Sequence, residues 1–312
     1  MNFKTFLNFT RIQTLPVALL SPIAGLLFAI YRYHSFHLLP TILFFIGLAA
    51  INLFVSAWNN LMDYRKALDP NYKKWNILAH DHINPKLALR ICLTFLVIDV
   101  IVGIGVVLTT NLAVLFIGGF CFLVAIFYTY GPFAFSRWPL GEVLAGLCEG
   151  FFGFVLGFYI NSFDKNYFVI DFHGATSVWL VNWAAIAPVA LVALMCFCMN
   201  FNVMLSDNIC DLEQDIRNNR KTLPYFIGVK NALRLYVVMY VLAAAVILLA
   251  IGLHILPLWS LLMLAIGPFV VRNMRQFLAK QVKSETFHLQ IQNLVLYNSA
   301  LAITILLGIL FK

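Results

Sequence analysis

The stretch LVALMCFCMNFNVMLSDNICDLEQDIRNNRK, residues 191–221, passes from apolar sequence into four acids within nine residues. Its apolar part belongs to a segment near 179–205 that is long enough to cross the roughly 30 Å hydrocarbon core of a bilayer as a helix. Asp207, Asp211 and Asp215 are spaced four residues apart, so they lie along one stripe of a helix. Carboxylates roughly 6 Å apart at an effective dielectric near 20 repel by about 3 kcal/mol per pair. We therefore expect a membrane helix whose end holds a cation.

The rest of the chain has the same apolar character. Hydrophobic residues make up 62% of its 312 residues and the mean hydropathy is +0.89, which is typical of membrane proteins. This composition predicts an all-α, polytopic membrane bundle in a single domain covering residues 1–312, for which we expect a central cavity open to the cytoplasmic side. Apolar stretches of sufficient length predict nine transmembrane helices, near 12–31, 38–60, 87–109, 112–130, 140–160, 179–205, 231–253, 255–274 and 288–311.

The basic residues predict the orientation of this bundle, because cytoplasmic segments retain Lys and Arg. With the N-terminus inside, 18 of the 21 Lys and Arg fall in or beside cytoplasmic segments, and only Arg32, Lys165 and Lys312 lie outside. We expect a multi-pass protein of the cell membrane. The formal net charge of the chain is +8 and is concentrated on the cytoplasmic face, where it could meet anionic lipid or an anionic substrate. Nucleic acid is a poor candidate partner because no soluble basic domain is present. The six cysteines show no pairing or zinc spacing and are interpreted as packing residues.

A second charged cluster, SAWNNLMDYRKALDPNYKKWN, residues 56–76, ends the second predicted helix. Asn59 and Asp63 are one helical turn apart, and Asp69 follows. The bases after them are Lys73 and Lys74. Acids that hold Mg²⁺ and bases that hold phosphate oxygens are the groups needed to bind and ionise a diphosphate. One such cluster is usually a solvated helix end, but two on the same face favour a functional site.

The remaining charges are less specific. Glu142 and Glu149 are seven residues apart, on one face of the fifth predicted helix, and Asp99 lies within the third. Acids at this depth should face the bundle interior, and a functional role and a satisfied contact between helices are equally good interpretations. Four bases near the eighth helix are interpreted as an ordinary positive cytoplasmic loop: Arg272, Arg275, Lys280 and Lys283.

Several stretches resemble the UbiA superfamily of intramembrane aromatic prenyltransferases, a nine-helix fold with two aspartate-rich motifs on its cytoplasmic side. The similar stretches are RIQTLPVALLSPIAG (11–25), NNLMDYRKALD (59–69), INPKLALR (83–90), YTYGPFAFSRWPLGE (128–142) and DNICDLEQDIRNNRKTLPYFIG (207–228). Within the superfamily, the wide spacing of Asn59, Asp63 and Asp69 resembles the 1,4-dihydroxy-2-naphthoate polyprenyltransferases of menaquinone biosynthesis. One departure is Asn60, at a position that is usually Asp, which implies a less negative metal site.

The resemblance implies Mg²⁺-dependent transfer of a polyprenyl group from a polyprenyl diphosphate to an aromatic acceptor. For 1,4-dihydroxy-2-naphthoate, the attacked carbon loses its carboxyl group as CO₂. We assign one Mg²⁺ to Asn59 and Asp63 and another to Asp207 and Asp211. Asp69 and Asp215 are expected to assist directly or through water. The expected diphosphate ligands are Lys73, Lys74, Arg137, Lys221 and Arg11. The expected aromatic residue beside the allyl cation is Tyr130 or Tyr128.

Other functions remain open from the sequence alone. Within the same family the acceptor could be 4-hydroxybenzoate, homogentisate or haem. A cation transporter could use the same carboxylates, although transporters place acids near the membrane midplane in broken, repeated helices. An alcohol phosphatidyltransferase is disfavoured because its Asp-Gly-x-x-Ala-Arg signature is missing from the sequence.

Overall fold

Long apolar helices form the frame of the protein in this computed structural model, which describes residues 1–131, 134–174 and 176–311. Within these ranges seven helical stretches are long and apolar enough to cross a membrane: Ile12–Tyr33, Leu38–Lys66, Pro85–Thr109, Gly141–Tyr159, Trp183–Cys210, Leu223–Gly252 and His288–Leu310. The predicted all-helical membrane architecture is therefore confirmed. Three residues named or quoted above lie outside the described ranges: Pro132, Phe133 and Lys312.

The first half of the chain is helical throughout. Its helices are α1 (Phe3–Thr10), α2 (Leu15–Ala18), α3 (Leu20–Tyr33), α4 (Leu38–Lys66), α5 (Pro70–Trp75), α6 (Ile77–His80), α7 (Pro85–Thr109), α8 (Leu112–Phe127), α9 (Gly141–Ala145) and α10 (Phe152–Tyr159). A π-helical stretch, Gly146–Phe151, joins α9 to α10 into one span. Only two residues separate α7 from α8, as the close spacing of the predicted segments near 87–109 and 112–130 requires.

The second half contains a β-hairpin before its helices. The strands β1 (Phe168–His173) and β2 (Thr176–Val181) pair antiparallel between the predicted helices near 140–160 and 179–205, and β2 takes the first residues of the latter. The helices that follow are α11 (Trp183–Cys210), α12 (Leu212–Arg217), α13 (Leu223–Gly252), α14 (Gly267–Ala279) and α15 (His288–Leu310). Gly228 has a positive φ of 75°, which kinks α13 near its start.

The observed helices differ from nine uniform spans in two places. The predicted helix near 255–274 is a 3₁₀ run, Leu258–Ile266, followed by α14. Pro257 precedes this run and a second proline begins α14, so a continuous α-helix would lose backbone hydrogen bonds there. The helix α8 is apolar but, at 16 residues, shorter than the seven long spans.

Small residues allow very close helix contacts on one side of the bundle. A Cβ atom on Gly157 of α10 would lie 2.1 Å from the carbonyl oxygen of Pro22 in α3. One on Gly150 would lie 2.4 Å from the carbonyl oxygen of Cys196 in α11. Such approaches are typical of membrane helices, whose packing depends on small interfacial residues. Through these close approaches, α3, α10 and α11 form one tightly packed wall beside the cavity described below.

Candidate active site

Asn218 joins the two aspartate-bearing segments. Its Oδ1 atom accepts hydrogen bonds from the backbone N–H groups of Leu68 (3.2 Å) and Asp69 (3.3 Å), while its Nδ2 atom donates to the Gln214 carbonyl (2.9 Å). Asn218 is only 3% exposed, so these bonds are shielded from water. The segments that follow α4 and α11 therefore meet at one end of the bundle.

The segment after α8 completes this end. Arg137 donates from Nη1 to the Asn218 carbonyl (3.3 Å), and the Lys221 backbone N–H donates to the Arg137 carbonyl (2.9 Å). Arg220 donates from Nη2 to the Ser136 carbonyl (3.4 Å). Two predicted diphosphate ligands, Arg137 and Lys221, are thus neighbours beside the second aspartate motif.

The first aspartate motif is fixed to the same segment. The Thr129 hydroxyl donates to Asn59 Oδ1 (2.9 Å), and Lys66 Nζ donates to the Thr129 carbonyl (2.9 Å). Asp63 is half-buried one turn beyond Asn59, where its charge acts on Lys66. Asn59 and Asp63 therefore face the region between α4 and the segment that follows α8.

Asn60 has a different role from its neighbour. It is buried, donates from Nδ2 to the Phe9 carbonyl (2.9 Å), and accepts at Oδ1 from Arg11 Nη2 (2.7 Å). Its backbone carbonyl accepts from Asn76 Nδ2 (2.9 Å). An aspartate could not donate to Phe9, so the amide is the group that fits this position. The Asn60 side chain ties α4 to the N-terminal helix and occupies the guanidinium of Arg11.

The second aspartate motif already surrounds a positive charge. Lys283 Nζ lies 2.9 Å from Asp207 Oδ1 and also contacts Asp211 Oδ2. Burial, followed by the charge of Asp207, raises the pKa of Asp211. Burial lowers the pKa of Lys283, but the two carboxylates outweigh it and the net shift is upward. The interpretation of Lys283 as an ordinary loop residue is therefore wrong.

Asp215 lies deeper than the other two aspartates. It is buried, and its Oδ1 forms an ion pair with Arg220 Nε at 3.3 Å, while its Oδ2 is buried with no hydrogen-bond partner within the described ranges. Burial is the main reason that its pKa rises to about 7, against the opposing charge of Arg220. Asp215 thus holds Arg220, which in turn reaches the segment after α8.

Within the described ranges, no three His, Cys, Asp or Glu side chains converge as a protein-only metal cage would require. The donor chemistry nevertheless fits Mg²⁺. Asp207 and Asp211 already present oxygen atoms to one cation, and Mg²⁺ takes oxygen ligands from one or two carboxylates together with substrate phosphates. A bound diphosphate would supply the missing ligands.

The other predicted bases lie on the exposed part of this end. Lys73 Nζ lies 4.8 Å from the centre of the Tyr64 ring, and Lys221 Nζ lies 5.6 Å from the centre of the Tyr225 ring. Lys74 is exposed in α5. These ammonium groups remain accessible to an anion at the charged end of the bundle.

An apolar cavity of about 550 Å³ begins beside the first motif. Its lining runs along α4 from Asn59 to Phe44, a depth of about 22 Å at 1.5 Å per residue. Ile104 of α7 and Leu115 of α8 also line it, and they are 55% and 50% exposed. The wall of the cavity that α7 and α8 contribute therefore carries exposed apolar side chains.

The two candidate tyrosines have different surroundings. Tyr128 lines the cavity, and its hydroxyl donates to the Gly141 carbonyl (3.2 Å). Tyr130 is 46% exposed, and its ring lies 5.4 Å from that of Trp58 and 5.8 Å from Lys66 Nζ. Of the two, Tyr128 is the one placed on the cavity wall.

The three intramembrane acids divide into two groups. Glu142 is fully buried and accepts at Oε1 from Asn208 Nδ2 (2.7 Å) and from the Leu223 N–H (3.2 Å). Glu149 and Asp99 instead line the cavity. Glu142 and Glu149 thus have different surroundings, and the π-helical stretch that contains Glu149 alters the seven-residue register on which the prediction of a shared face depends. All three acids do face the interior, as expected.

The UbiA prenyltransferase family model matches residues 18–297. The chain belongs to this family. It is therefore a membrane prenyltransferase, and this assignment favours transfer chemistry over cation transport. A curated relative, the 1,4-dihydroxy-2-naphthoate octaprenyltransferase of Bacillus subtilis (strain 168), is 24% identical over 236 residues, which cover 75% of this chain and 69% of the relative.

Solved structures of UbiA homologues have the same fold. The apo structure of a UbiA homologue from Aeropyrum pernix K1 matches with a TM-score of 0.71 and 18% identity, covering 94% of this chain and 98% of that one. A UbiA homologue from Archaeoglobus fulgidus bound to GPP and Mg²⁺ matches with a TM-score of 0.58 and 16% identity, covering 98% and 99%.

Proposed function

We propose that this UbiA-family enzyme transfers a polyprenyl group from a polyprenyl diphosphate to 1,4-dihydroxy-2-naphthoate in a Mg²⁺-dependent reaction that yields demethylmenaquinol, the reduced form of demethylmenaquinone, together with CO₂ and diphosphate. The observation that carries the proposal is the junction at Asn218, which brings the segment containing Asp69 to the second aspartate motif. Asn59 of the first motif lies at the head of an apolar cavity suited to a prenyl chain. The distribution of basic residues supports a cytoplasmic position for this end.

In this reaction the charged side chains bind and orient the diphosphate. Asn59 and Asp63 on one side, and Asp207 and Asp211 on the other, would hold Mg²⁺, with Asp69 and Asp215 as supporting groups. Magnesium supplies the positive charge that makes the diphosphate a better leaving group. The basic side chains on the same end donate to phosphate oxygens, as expected for a charge-assisted anion site. They are Arg137, Lys221, Lys73 and Lys74, while Arg11 is a weaker candidate because it already binds Asn60.

The cavity then protects the reacting carbon. When the bond between carbon and diphosphate oxygen breaks, an allyl cation remains, and water in the site would hydrolyse it. The Tyr128 ring lies on the cavity wall, where an aromatic face stabilises a cation without reacting as a nucleophile would. The acceptor ring carbon forms the new bond to the prenyl group, and its carboxyl group leaves as CO₂.

The acceptor is inferred from two kinds of similarity. The spacing of Asn59, Asp63 and Asp69 resembles the naphthoate branch, and the Bacillus subtilis relative is named for that acceptor. The second candidate is the same transfer to 4-hydroxybenzoate, homogentisate or haem. Purified enzyme should be incubated with Mg²⁺, radiolabelled prenyl diphosphate and each acceptor in turn. Lipid product and CO₂ from 1,4-dihydroxy-2-naphthoate are expected, and product from 4-hydroxybenzoate alone would refute the acceptor assignment.

Single substitutions test the metal assignment. Asp63→Ala and Asp211→Ala should abolish turnover while the helical signal in circular dichroism stays at the wild-type level. Glu213→Ala is a matched control, since Glu213 is an exposed acid of the same motif. Wild-type rates in either aspartate variant, or prenyl transfer that persists in excess chelator, would contradict the assignment.

A further inference from the structure

Lys283 lies far along the chain from both aspartate motifs, yet it contacts two of their carboxylates. It belongs to the segment between α14 and α15, 72 residues after Asp211. Its ammonium group lies 2.9 Å from Asp207 Oδ1 and also contacts Asp211 Oδ2. One side chain from a separate segment therefore bridges the acidic pair that is proposed to hold Mg²⁺.

The segment that carries Lys283 is folded into a defined turn. The Thr286 hydroxyl donates to the Lys280 carbonyl (2.9 Å), and the Val282 N–H donates to Thr286 Oγ1 (3.1 Å). Lys280 forms its own ion pair with Glu285 at 2.6 Å. The turn thus holds its two lysines on different partners, and only Lys283 is directed at the aspartate motif.

Charge balance explains why a lysine is favourable here. Asp207 and Asp211 are one helical turn apart, and with no cation between them their carboxylates would repel. One ammonium neutralises half of their charge, whereas a divalent cation would neutralise all of it. Lys283 touches both carboxylates, so a metal ion that binds the same oxygen atoms must displace it. Its side chain is 48% exposed, which gives it room to leave.

We propose that Lys283 is a built-in counter-ion: it occupies the Asp207–Asp211 pair in the metal-free protein and leaves when a divalent cation binds. The identity of this cation as Mg²⁺ rests on the proposed function. Lys283 then sets how tightly the empty enzyme binds the metal, because each binding event must first break the lysine contacts. Without metal, Lys283 keeps the Asp207 and Asp211 carboxylates close together. Free Mg²⁺ competes poorly with this lysine until the substrate supplies phosphate ligands.

Isothermal titration of Mg²⁺ into the substrate-free protein in lipid nanodiscs tests this inference. Lys283→Gln should bind Mg²⁺ about tenfold more tightly than wild type, since it loses two partly exposed ion pairs that compete with the metal. Lys283→Arg keeps the charge and should stay close to wild type. Lys280→Gln is the matched control from the same turn and should leave the affinity unchanged. The unfolding temperature and circular dichroism of each variant check that it is folded.

Equal or weaker Mg²⁺ affinity in Lys283→Gln would overturn the counter-ion role, and so would the lack of Mg²⁺ binding at millimolar concentration in both wild type and Lys283→Gln. The titration contains no prenyl substrate, so its outcome is separate from that of the transfer assay. Tighter metal binding in Lys283→Gln with no prenyl transfer by wild type would refute the proposed function alone. Normal transfer with unchanged metal affinity would refute the counter-ion role alone.

Discussion

Removal of the Glu142 carboxylate should destabilise the junction between α9, α11 and α13. In Glu142→Ala, Asn208 Nδ2 and the Leu223 N–H lose the acceptor that they share at 2.7 and 3.2 Å. Leaving a buried donor without a partner costs about 1–3 kcal/mol, so two of them cost about 2–6 kcal/mol. Asn208 is adjacent to Asp207, so the same change should disturb the second aspartate motif.

Thermal unfolding of the purified protein measures this effect. At about 2–4 °C per kcal/mol, the value for somewhat smaller chains, the unfolding temperature of Glu142→Ala should fall by about 4–24 °C. Glu142→Gln is the control, because its amide oxygen can still accept both hydrogen bonds, and it should lose less than half as much. An unchanged unfolding temperature in the alanine variant, or equal losses in both variants, would refute the reasoning.

Three further predictions concern the junction, the buried aspartate and the cavity. Asn218→Ala removes the acceptor that binds the Asp69 backbone N–H. A net hydrogen bond contributes roughly 1–1.5 kcal/mol, so kcat in steady-state assays should fall about tenfold. An unaltered kcat would contradict a role of the Asn218 junction in positioning the site. The folded pKa of Asp215, about 7, exceeds its ordinary value of 3.8, so this group stabilises the metal-free protein below pH 4 and loses that contribution as pH rises through 7. In chelator, melting curves at pH 6 and 8 should show the higher unfolding temperature at pH 6, and Asp215→Asn should flatten this difference; a slope of opposite sign would count against it. Glu149→Leu or Asp99→Leu removes a carboxyl group from the cavity wall. The more apolar wall should bind the longer prenyl chain more favourably by roughly 1 kcal/mol, so kcat/KM for long relative to short prenyl diphosphates should rise about fivefold. An unchanged ratio would exclude these acids from chain selection.

Local patterns predicted much of the fold and of the site. Hydropathy located the long spans because the requirement to cross a bilayer is visible in each segment alone. The four-residue spacing of Asp207 and Asp211 predicted a bound cation; the structure places the ammonium group of Lys283 at these carboxylates, and the Mg²⁺ assigned to them stays a prediction. The resemblance of residues 59–69 and 207–228 to the family's motifs identified a prenyltransferase, and the family match confirms it.

The features that the sequence did not predict depend on tertiary contacts or on helical register. Nothing near Lys283 distinguishes it from the other bases of its segment, since its partners lie 72 residues away. A seven-residue spacing puts Glu142 and Glu149 on one face only if the helix stays α-helical, and the π-helical stretch breaks that condition. Tyr128 and Tyr130 are two residues apart near the end of α8, and tertiary contacts separate their environments, since Tyr130 packs against Trp58 whereas Tyr128 lines the cavity.

A gap for lipid entry in the exposed α7–α8 wall of the cavity would have a kinetic consequence. Gly118 and Gly119 on α8 line the cavity, and a Cβ atom at either would meet no atom within 4 Å, so no neighbouring atom narrows the cavity at these positions. A lipid that enters through this gap is drawn from the surrounding leaflet, and its product returns there without crossing water. The turnover rate should therefore follow the mole fraction of substrate among the lipids rather than its concentration in the whole sample. Adding inert phospholipid at a constant amount of substrate should slow the enzyme in proportion to the dilution of that surface.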